Sequence, residues 1–161
     1  MVKLIPLTQG QFAIVDETDF EWLSQWKWQA LWSRSSKSFY ARRSASFQGE
    51  QKVIYMAREI LGNPIGLQVD HSNHDTLDNR RSNLRAATVS QNQFNRGLSA
   101  RSTSGHKGVT WSKRRSRWIS RIELNGHRRY LGMFSDLSAA ATAYRDAASA
   151  AAGEFAFVGV R

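Results

Sequence analysis

The feature that most constrains the fold is the stretch of residues 69–95, whose elements are short and whose middle has no hydrophobic period. A brief apolar run at 66–69 comes before it and is expected to be a strand. The polar loop that follows leads to a second extended piece at 82–86. Thr88 is a plausible N-cap for a helix that begins at Val89. The predicted order is therefore strand, loop, strand and helix, which can bring side chains from different elements to one point.

Three side chains in this stretch suit the hydrolysis of a phosphodiester. Asp70 offers an anionic oxygen to a hard cation such as Mg²⁺, and Asn92 on the helix offers a second, neutral oxygen. His71 follows Asp70 directly, and neighbouring side chains on a strand point to opposite sides of the backbone. A neutral imidazole is a competent general base, worth roughly 10²–10⁴-fold in rate. The pattern therefore indicates metal-assisted attack of water on a phosphodiester.

The same stretch resembles the HNH nuclease motif, the ββα-metal site of phage and intron-encoded homing endonucleases. The residues that carry the resemblance are Asp70-His71, Asp78-Asn79-Arg80-x-Ser82-Asn83-Leu84-Arg85, Thr88 and Gln91-Asn92-x-x-Asn95. The resemblance implies that His71 is the general base and that Asp70 and Asn92 hold the metal. It also implies that Asn83 belongs to the catalytic set, because it pins the loop by bonding the backbone and orients the histidine.

Other polar residues of the stretch have simpler interpretations. Asn79 is interpreted as a turn residue, because Asp-Asn favours loop conformations. Asn83 is more structural than chemical in any interpretation. His74 lies three residues after His71 and invites a zinc interpretation, but no cysteine or further histidine stands at ligand spacing, so it is taken as a loop residue. Asn95 is left unassigned.

Charge and cysteine content limit the partners and cofactors. With 23 Lys and Arg against 13 Asp and Glu, the net charge is +10, which indicates a polyanionic partner, nucleic acid before membrane. Without any cysteine, no disulfide and no structural zinc are expected, and the metal is expected to be Mg²⁺ or another divalent cation such as Mn²⁺. No membrane-spanning run or signal peptide is evident. We therefore expect a soluble, cytoplasmic protein of a phage-infected or host bacterial cell.

Residues 1–62 are predicted to form an N-terminal β-rich region that supports the nuclease and contacts DNA. Four tryptophans in it are interpreted as core, with stacking on bases as the alternative. Three basic side chains, Arg42, Arg43 and Lys52, could reach phosphates, although a solvated basic face is an equal alternative. Candidate strands lie at 3–6, 12–15, 26–32, 39–45 and 53–56, and candidate helical segments at 16–23 and 57–61.

The C-terminal part changes in composition after a small, polar linker. We predict the nuclease unit at 63–97, the linker at 98–106 and a last domain at 107–161. In that domain, runs at 108–111, 117–124 and 127–134 are strand-like. Asn125-Gly126 between the last two is a strong hairpin signal. The Ala-rich run 135–152 reads as one helix packed close to a sheet and ended by Gly153.

This three-strand-plus-helix segment resembles the APETALA/ERF-type DNA-binding domain known best from plants. The resemblance is carried by Ser104-Gly105-x-Lys107-Gly108-Val109-x-Trp111, Arg117-Trp118-x-x-x-Ile122, Tyr130-Leu131-Gly132-x-Phe134 and Ala139-Ala140-Ala141-x-Ala143-Tyr144-x-x-Ala147-Ala148. It implies that the sheet, rather than the helix, lies in the major groove. Thr110 and Ser112 stand where plant members carry arginines, so the plant target sequence cannot be carried over.

Period-2 alternation assigns the faces of the middle strand. Trp118, Ser120, Ile122 and Leu124 are predicted to face the helix, and Ile119, Arg121 and Glu123 to face outward. Alignment to the family puts Arg128 and Tyr130 on the same outer face. Predicted DNA contacts are basic or aromatic side chains of this domain and of the nuclease unit: Lys113, Arg114, Arg117, Arg121, Arg128, Tyr130, Arg80, Arg81 and Arg85.

Taken together, the sequence predicts an α+β chain. Its N-terminal region is small, mixed and β-rich, its centre is a ββα-metal unit, and its C-terminal part is a three-stranded antiparallel sheet packed on one helix. The expected function is site-specific cleavage of double-stranded DNA by a homing endonuclease that is a monomer or a weak dimer. Two alternatives stay open: a DNA-binding regulator whose nuclease unit is inactive, and an HNH restriction or defence nuclease.

Overall fold

In the computed structural model, which describes residues 1–98, 102–124 and 126–156, the chain begins with a β-hairpin. Strands β1 (Val2–Pro6) and β2 (Phe12–Asp16) cover the predicted strands at 3–6 and 12–15 and pair antiparallel, and helix α1 (Glu17–Leu23) follows. Asp16 stands at the N-cap position of α1. Its side chain does not cap the helix, because Oδ2 accepts a hydrogen bond from the distant backbone N–H of Arg81 at 2.8 Å.

A three-stranded antiparallel sheet forms the middle of the N-terminal region. Its strands are β3 (Gln29–Ser33), β4 (Ser38–Phe47) and β5 (Glu50–Tyr55), and α2 (Met56–Ile60) comes directly after β5. The predicted strand at 26–32 begins three residues late. The reason is that the indole of Trp28 donates a 2.8 Å hydrogen bond to the carbonyl of Leu23, which ties the preceding residues into a turn.

The prediction that all four N-terminal tryptophans are core is only partly right. Trp28 is 3% exposed and Trp22 packs at the edge of the core, but Trp26 and Trp32 are each about half exposed, at 47% and 49%. The Arg43 guanidinium covers the Trp26 ring at 4.2 Å from its centroid. Trp32 meets Phe39 edge to face, with ring centroids 4.9 Å apart. Partner side chains therefore shield these two rings in place of the core.

The strands predicted at 66–69 and 82–86 are present, each beginning two residues later than predicted, and they share the core of the N-terminal sheets. Strands β6 (Gln68–His71) and β7 (Leu84–Ala87) pair antiparallel, with Asp70 opposite Arg85. Leu84 is buried with apolar residues of the hairpin, α1, the segment before β3, β4 and α2: Ile5, Ala13, Val15, Leu23, Trp28, Ala41, Met56, Ala57 and Ile60. The two β6–β7 strands are thus held in place by the region that comes before them in sequence.

The C-terminal part carries helix α3 (Val89–Asn95), a three-stranded sheet and a long helix. Strands β9 (Arg117–Leu124) and β10 (His127–Phe134) have the predicted bounds, and β8 (Val109–Ser112) pairs with β9. Helix α4 (Leu137–Ala152) starts two residues later than predicted, because Asp136 caps it by accepting from the N–H of Ala139 at 2.8 Å. The predicted turn residue Asn125 lies outside the described residues.

The sheet of this part packs closely on α4, as the Ala-rich pattern predicts. Ala140, Ala148 and Tyr144 are buried on the helix, and Ser120 and Ile122 are buried on β9. Gly108 has φ +70, and a Cβ there would stand 2.2 Å from the Tyr144 ring and 2.3 Å from the carbonyl oxygen of Arg121. Only glycine fits between the helix and the sheet at this point.

Proximity of Cα atoms divides the chain into two compact units, Met1–Thr88 and Val89–Arg161, called here the first and second units. This division falls inside the predicted nuclease unit at 63–97, and the predicted linker at 98–106 lies within the second unit. Among the described residues, no helix is both long enough and apolar enough to span a bilayer.

Candidate active site

His71 ends strand β6 and is buried within the first unit, where it is 7% exposed. Its Nε2 lies 3.4 Å from Oδ1 of Asn79. The ring of Tyr40, on β4, meets the imidazole edge to face with centroids 6.4 Å apart. Burial lowers the pKa of His71, although the bond to Asn79 and the charge of Asp70 act in the opposite direction. The imidazole is therefore neutral near pH 7, the state that can accept a proton.

The side chain of Asn79 fixes which ring nitrogen carries the proton. Its Nδ2 donates to the carbonyl of Leu77 at 3.1 Å, so Oδ1 is the atom that faces Nε2. An amide oxygen only accepts hydrogen bonds, so this contact favours the tautomer in which Nε2 is protonated and Nδ1 carries the lone pair of the neutral ring. Asn79 is itself held by the 2.7 Å bond from its backbone N–H to the carbonyl of Ile14 on β2.

The interpretation of Asn79 as a simple turn residue was therefore incomplete. It is 1% exposed and is the amide that contacts the histidine. The Asp-Asn dipeptide does form a turn, but no sequence pattern reveals that the side chain points inward. The only available signal was that Asn79 lies inside the motif block.

Asn83 holds the loop between β6 and β7, as the resemblance implies. Its Nδ2 donates to the carbonyl of Asp78 at 2.7 Å, and its Oδ1 accepts from the N–H of Asn73 at 2.9 Å. The loop is closed further by the 2.9 Å bond from the N–H of Ser72 to the carbonyl of Asn83. The side chain bonds only backbone groups in these contacts, so its influence on His71 runs through the loop. His74 has φ 66 and is exposed in this loop.

Asp70 is 4% exposed, and its Oδ2 accepts a hydrogen bond from Nε of Arg85 at 2.8 Å. A buried carboxylate beside a histidine is a donor that suits a hard divalent cation, which takes oxygen ligands and keeps several waters. Asp70 is a single candidate donor, and among the described residues no group of three or more His, Asp or Glu side chains could hold a metal ion. Asn92, the other predicted ligand, lies on α3 in the second unit, and its role stays a prediction.

The structure places the three predicted DNA-binding arginines of this region in ion pairs. Arg80 makes a bidentate pair with Asp78, at 2.7 and 2.6 Å, and this bond lowers the pKa of that carboxyl. Arg81 holds the buried carboxylate of Asp19 with bonds of 2.8 and 2.7 Å. Arg85 is the partner of Asp70 and is only 16% exposed at its side chain.

These ion pairs give the three arginines a structural role that the sequence-level interpretation did not include. Their contact with DNA stays a prediction. The Arg81–Asp19 pair bridges distant parts of the first unit, since the two residues are 62 positions apart in sequence.

The predicted DNA face of the second unit has the geometry expected from alternation. On β9, Arg121 and Glu123 are exposed, whereas Ser120 and Ile122 are 0% and 1% exposed. Tyr130 lies opposite Arg121 and Arg128 opposite Glu123 in the pairing of β10 with β9, which puts them on the same face. The other predicted contacts, Lys113, Arg114 and Arg117, are exposed as well.

Lys107 fastens α3 within the second unit. Its ammonium donates to the carbonyls of Gln93 at 3.0 Å, Phe94 at 2.8 Å and Arg96 at 2.9 Å. These are carbonyls at the end of the helix, which need partners and favour a positive charge. Burial, together with the charge of Arg96, lowers the pKa of Lys107 to about 8, so the ammonium is still charged at pH 7.

Comparison with known proteins identifies the domain that contains this site. The model of a family described as HNH endonuclease matches residues 57–94. Protein 3.8 of Escherichia phage T7 is 35% identical over 63 residues, which are 39% of this chain and 52% of that protein. The match thus spans about half the length of this curated relative. The chain carries an HNH endonuclease domain at 57–94, and the resemblance of 107–161 to the APETALA/ERF type has no support beyond its own motifs.

Proposed function

We propose that this protein is a metal-dependent DNA endonuclease in which His71 is the general base. The observation that carries the proposal is the buried, neutral imidazole of His71, oriented by the amide of Asn79 inside an HNH endonuclease domain. A histidine held in one tautomer at the end of a strand is arranged to take a proton from water, and a surface histidine would not need such support.

In this mechanism Nδ1 of His71 removes a proton from the water that attacks the scissile phosphorus. Asn79 keeps the other ring nitrogen protonated and the ring in one orientation, and Asn83 keeps the loop closed around them. Asp70 and Asn92 are the residues proposed to hold a divalent cation, which when bound would stabilise the negative charge on the departing oxygen. We favour Mg²⁺, with Mn²⁺ as an alternative, since carboxylate and amide oxygens are its preferred donors.

The second unit is proposed to select the DNA site. Its exposed, basic sheet face is suited to lie against a duplex, where phosphate contacts give affinity and base contacts give discrimination of about 1–3 kcal/mol per good pair. One HNH unit per chain would nick one strand as a monomer. A nuclease with its own site reader fits a homing endonuclease, and the phage relative supports action inside an infected bacterial cell.

The test is cleavage of a supercoiled plasmid with two matched variants, His71→Asn and His74→Asn. The two histidines are three residues apart, and asparagine tolerates the positive φ of position 74. We expect metal-dependent nicking by wild type and by His74→Asn, a fall of at least about 10²-fold for His71→Asn, and loss with EDTA.

Binding separates this proposal from the regulator alternative. A gel shift with a duplex should be retained by both variants, because neither substitution changes the basic faces. Tight DNA binding by a wild-type protein that cuts no plasmid with Mg²⁺ or Mn²⁺ would favour the regulator. Equal cleavage by His71→Asn and wild type would exclude His71 as the base.

A further inference from the structure

One face of the N-terminal sheet begins at the candidate active site and continues away from it. Tyr40 on β4 contacts the His71 ring, and it also meets Tyr55 of β5 edge to face with centroids 6.4 Å apart. Arg42 lies two residues beyond Tyr40 on the same face and pairs directly with Tyr55 in the register of β4 and β5. Arg42 is therefore the first cationic side chain along this face from the catalytic histidine.

The environment of Arg42 differs from that of the two other basic residues of this sheet that the sequence singled out. The guanidinium of Arg43, on the opposite face, makes a bidentate pair with Glu59 at 2.6 and 3.3 Å and stacks on Trp26. The ammonium of Lys52 lies 5.2 Å from the centroid of the Phe47 ring. The charge of Arg43 is thus paired inside the protein, whereas Lys52 is an exposed side chain.

Arg42 has no such compensation. Its side chain is half-buried, and Nε is shielded from solvent without a hydrogen-bond partner among the described residues. Its guanidinium also makes no ion pair with any carboxylate of the residues that the structure describes. A buried donor that has lost water and gained no acceptor destabilises the protein, so such a group in a native structure calls for a reason. A guanidinium in this state is suited to an anion that arrives from outside.

We propose that Arg42 binds a phosphate of the DNA backbone close to the bond that is cut. The inference rests on the proposed nuclease function, since it is the contact of Tyr40 with His71 that places Arg42 beside the chemistry. The planar guanidinium matches phosphate oxygens in a bidentate manner. Two residues along a strand span about 7 Å, and the ring centroids of Tyr40 and His71 are a further 6.4 Å apart, so the phosphate lies within a few nucleotides of the scissile bond.

This contact gives Arg42 a role in cleavage as well as in binding. Holding the backbone next to the reacting phosphate fixes the distance between the attacking water and the phosphorus, and small misplacements of this kind reduce rates by about 10²-fold. Phosphate contacts of the second unit would determine where along the DNA the protein binds, whereas Arg42 would position the scissile strand next to His71.

The experiment compares Arg42→Met with Lys52→Met, which removes the same charge from the same sheet. In the β4–β5 register Lys52 pairs with Ala45, whose side chain lies on the opposite face from Arg42. For each variant, one measures the salt dependence of binding to a 40-base-pair duplex and the rate of plasmid nicking at saturating protein. Thermal unfolding checks that each variant is folded.

We expect Arg42→Met to reduce the slope of log binding constant against log salt by about 0.9, the loss of one phosphate contact. Its saturated nicking rate should fall by at least about tenfold. Lys52→Met should change neither. Arg42→Lys keeps a point charge for phosphate, so its salt-dependence slope should equal that of wild type, whereas its saturated nicking rate should recover only in part. If Arg42→Met does not fold, Arg42→Lys replaces it as the test variant.

The outcomes separate this inference from the nuclease proposal. Unchanged slope and rate in Arg42→Met, or equal losses in Lys52→Met, would overturn the role of Arg42. If wild type binds DNA but cuts none, the nuclease proposal fails by itself, and the position of Arg42 beside a scissile bond fails with it. A reduced slope with an unchanged saturated rate would refute the placement near the cut.

Discussion

The contact of Gly108 with helix α4 allows a quantitative test of the second unit. In Gly108→Ala, the new Cβ would stand 2.2 Å from the Tyr144 ring and 2.3 Å from the carbonyl oxygen of Arg121. The ring can move, but the carbonyl is backbone within β9 and cannot move without disturbing the sheet. The positive φ of +70 adds a second penalty for any residue with a Cβ.

The size of the effect follows from these two terms. Placing alanine at positive φ costs about 1 kcal/mol, and overpacking a tight contact costs about 1–3 kcal/mol more. We therefore expect Gly108→Ala to lower the free energy of unfolding of the second unit by about 2–4 kcal/mol. The matched control is Gly105→Ala, where φ is +71 and nothing lies within 4 Å of the new Cβ, so only the conformational term of about 1 kcal/mol remains.

The measurement is urea denaturation followed by circular dichroism and tryptophan fluorescence. Both variants are compared with wild type at constant m value, so that a shift of the midpoint reports stability. A destabilisation of Gly108→Ala that does not exceed that of Gly105→Ala would refute the close packing of α4 on the sheet. It would also contradict the explanation that the alanines of α4 allow the helix to approach the sheet closely.

Two further predictions concern His71 and Lys107. Asn79→Leu removes the acceptor for Nε2 of His71, so plasmid nicking should fall by roughly 10²-fold at unchanged DNA affinity; an undiminished rate would show that the ring needs no such support. Lys107 has its pKa lowered from 10.5 to about 8, so between these values the unfolded chain binds more protons than the folded one and stability should rise with pH. Solvent screening reduces this rise in the free energy of unfolding to about 1–2 kcal/mol. The rise of stability with pH between 8 and 10.5 should be absent in Lys107→Met. The same pH dependence in both proteins would contradict the burial of this charge.

Local structure was largely predictable from the sequence where one signal dominated. Strands β9 and β10 have the bounds that alternation predicts, and Gly153 ends α4 with φ 54. The faces of β9 follow from the same alternation, because one face must pack on the helix. Such features depend only on neighbours within a few residues.

What the sequence did not reveal depends on partners far away in the chain. The ion pair of Arg81 was not predicted, because its partner Asp19 lies 62 residues earlier in the chain. Trp26 was predicted to belong to the core, because nothing in the neighbouring sequence indicates that the guanidinium of Arg43 lies above its ring. Tyr40 lies 31 positions before His71, and no periodicity connects them. Long-range polar pairing leaves no local pattern, so these contacts required the structure.

The amide that orients His71 depends on a strand outside the HNH match. The N–H of Asn79 donates to the carbonyl of Ile14, and the N–H of Ile14 donates to the carbonyl of Leu77, so the loop between β6 and β7 is hydrogen-bonded to the edge of the first hairpin. A transplanted segment 57–94 would carry every motif residue of the loop and still lack that edge. A chimera that carries this HNH domain must therefore include the opening hairpin as well as residues 57–94.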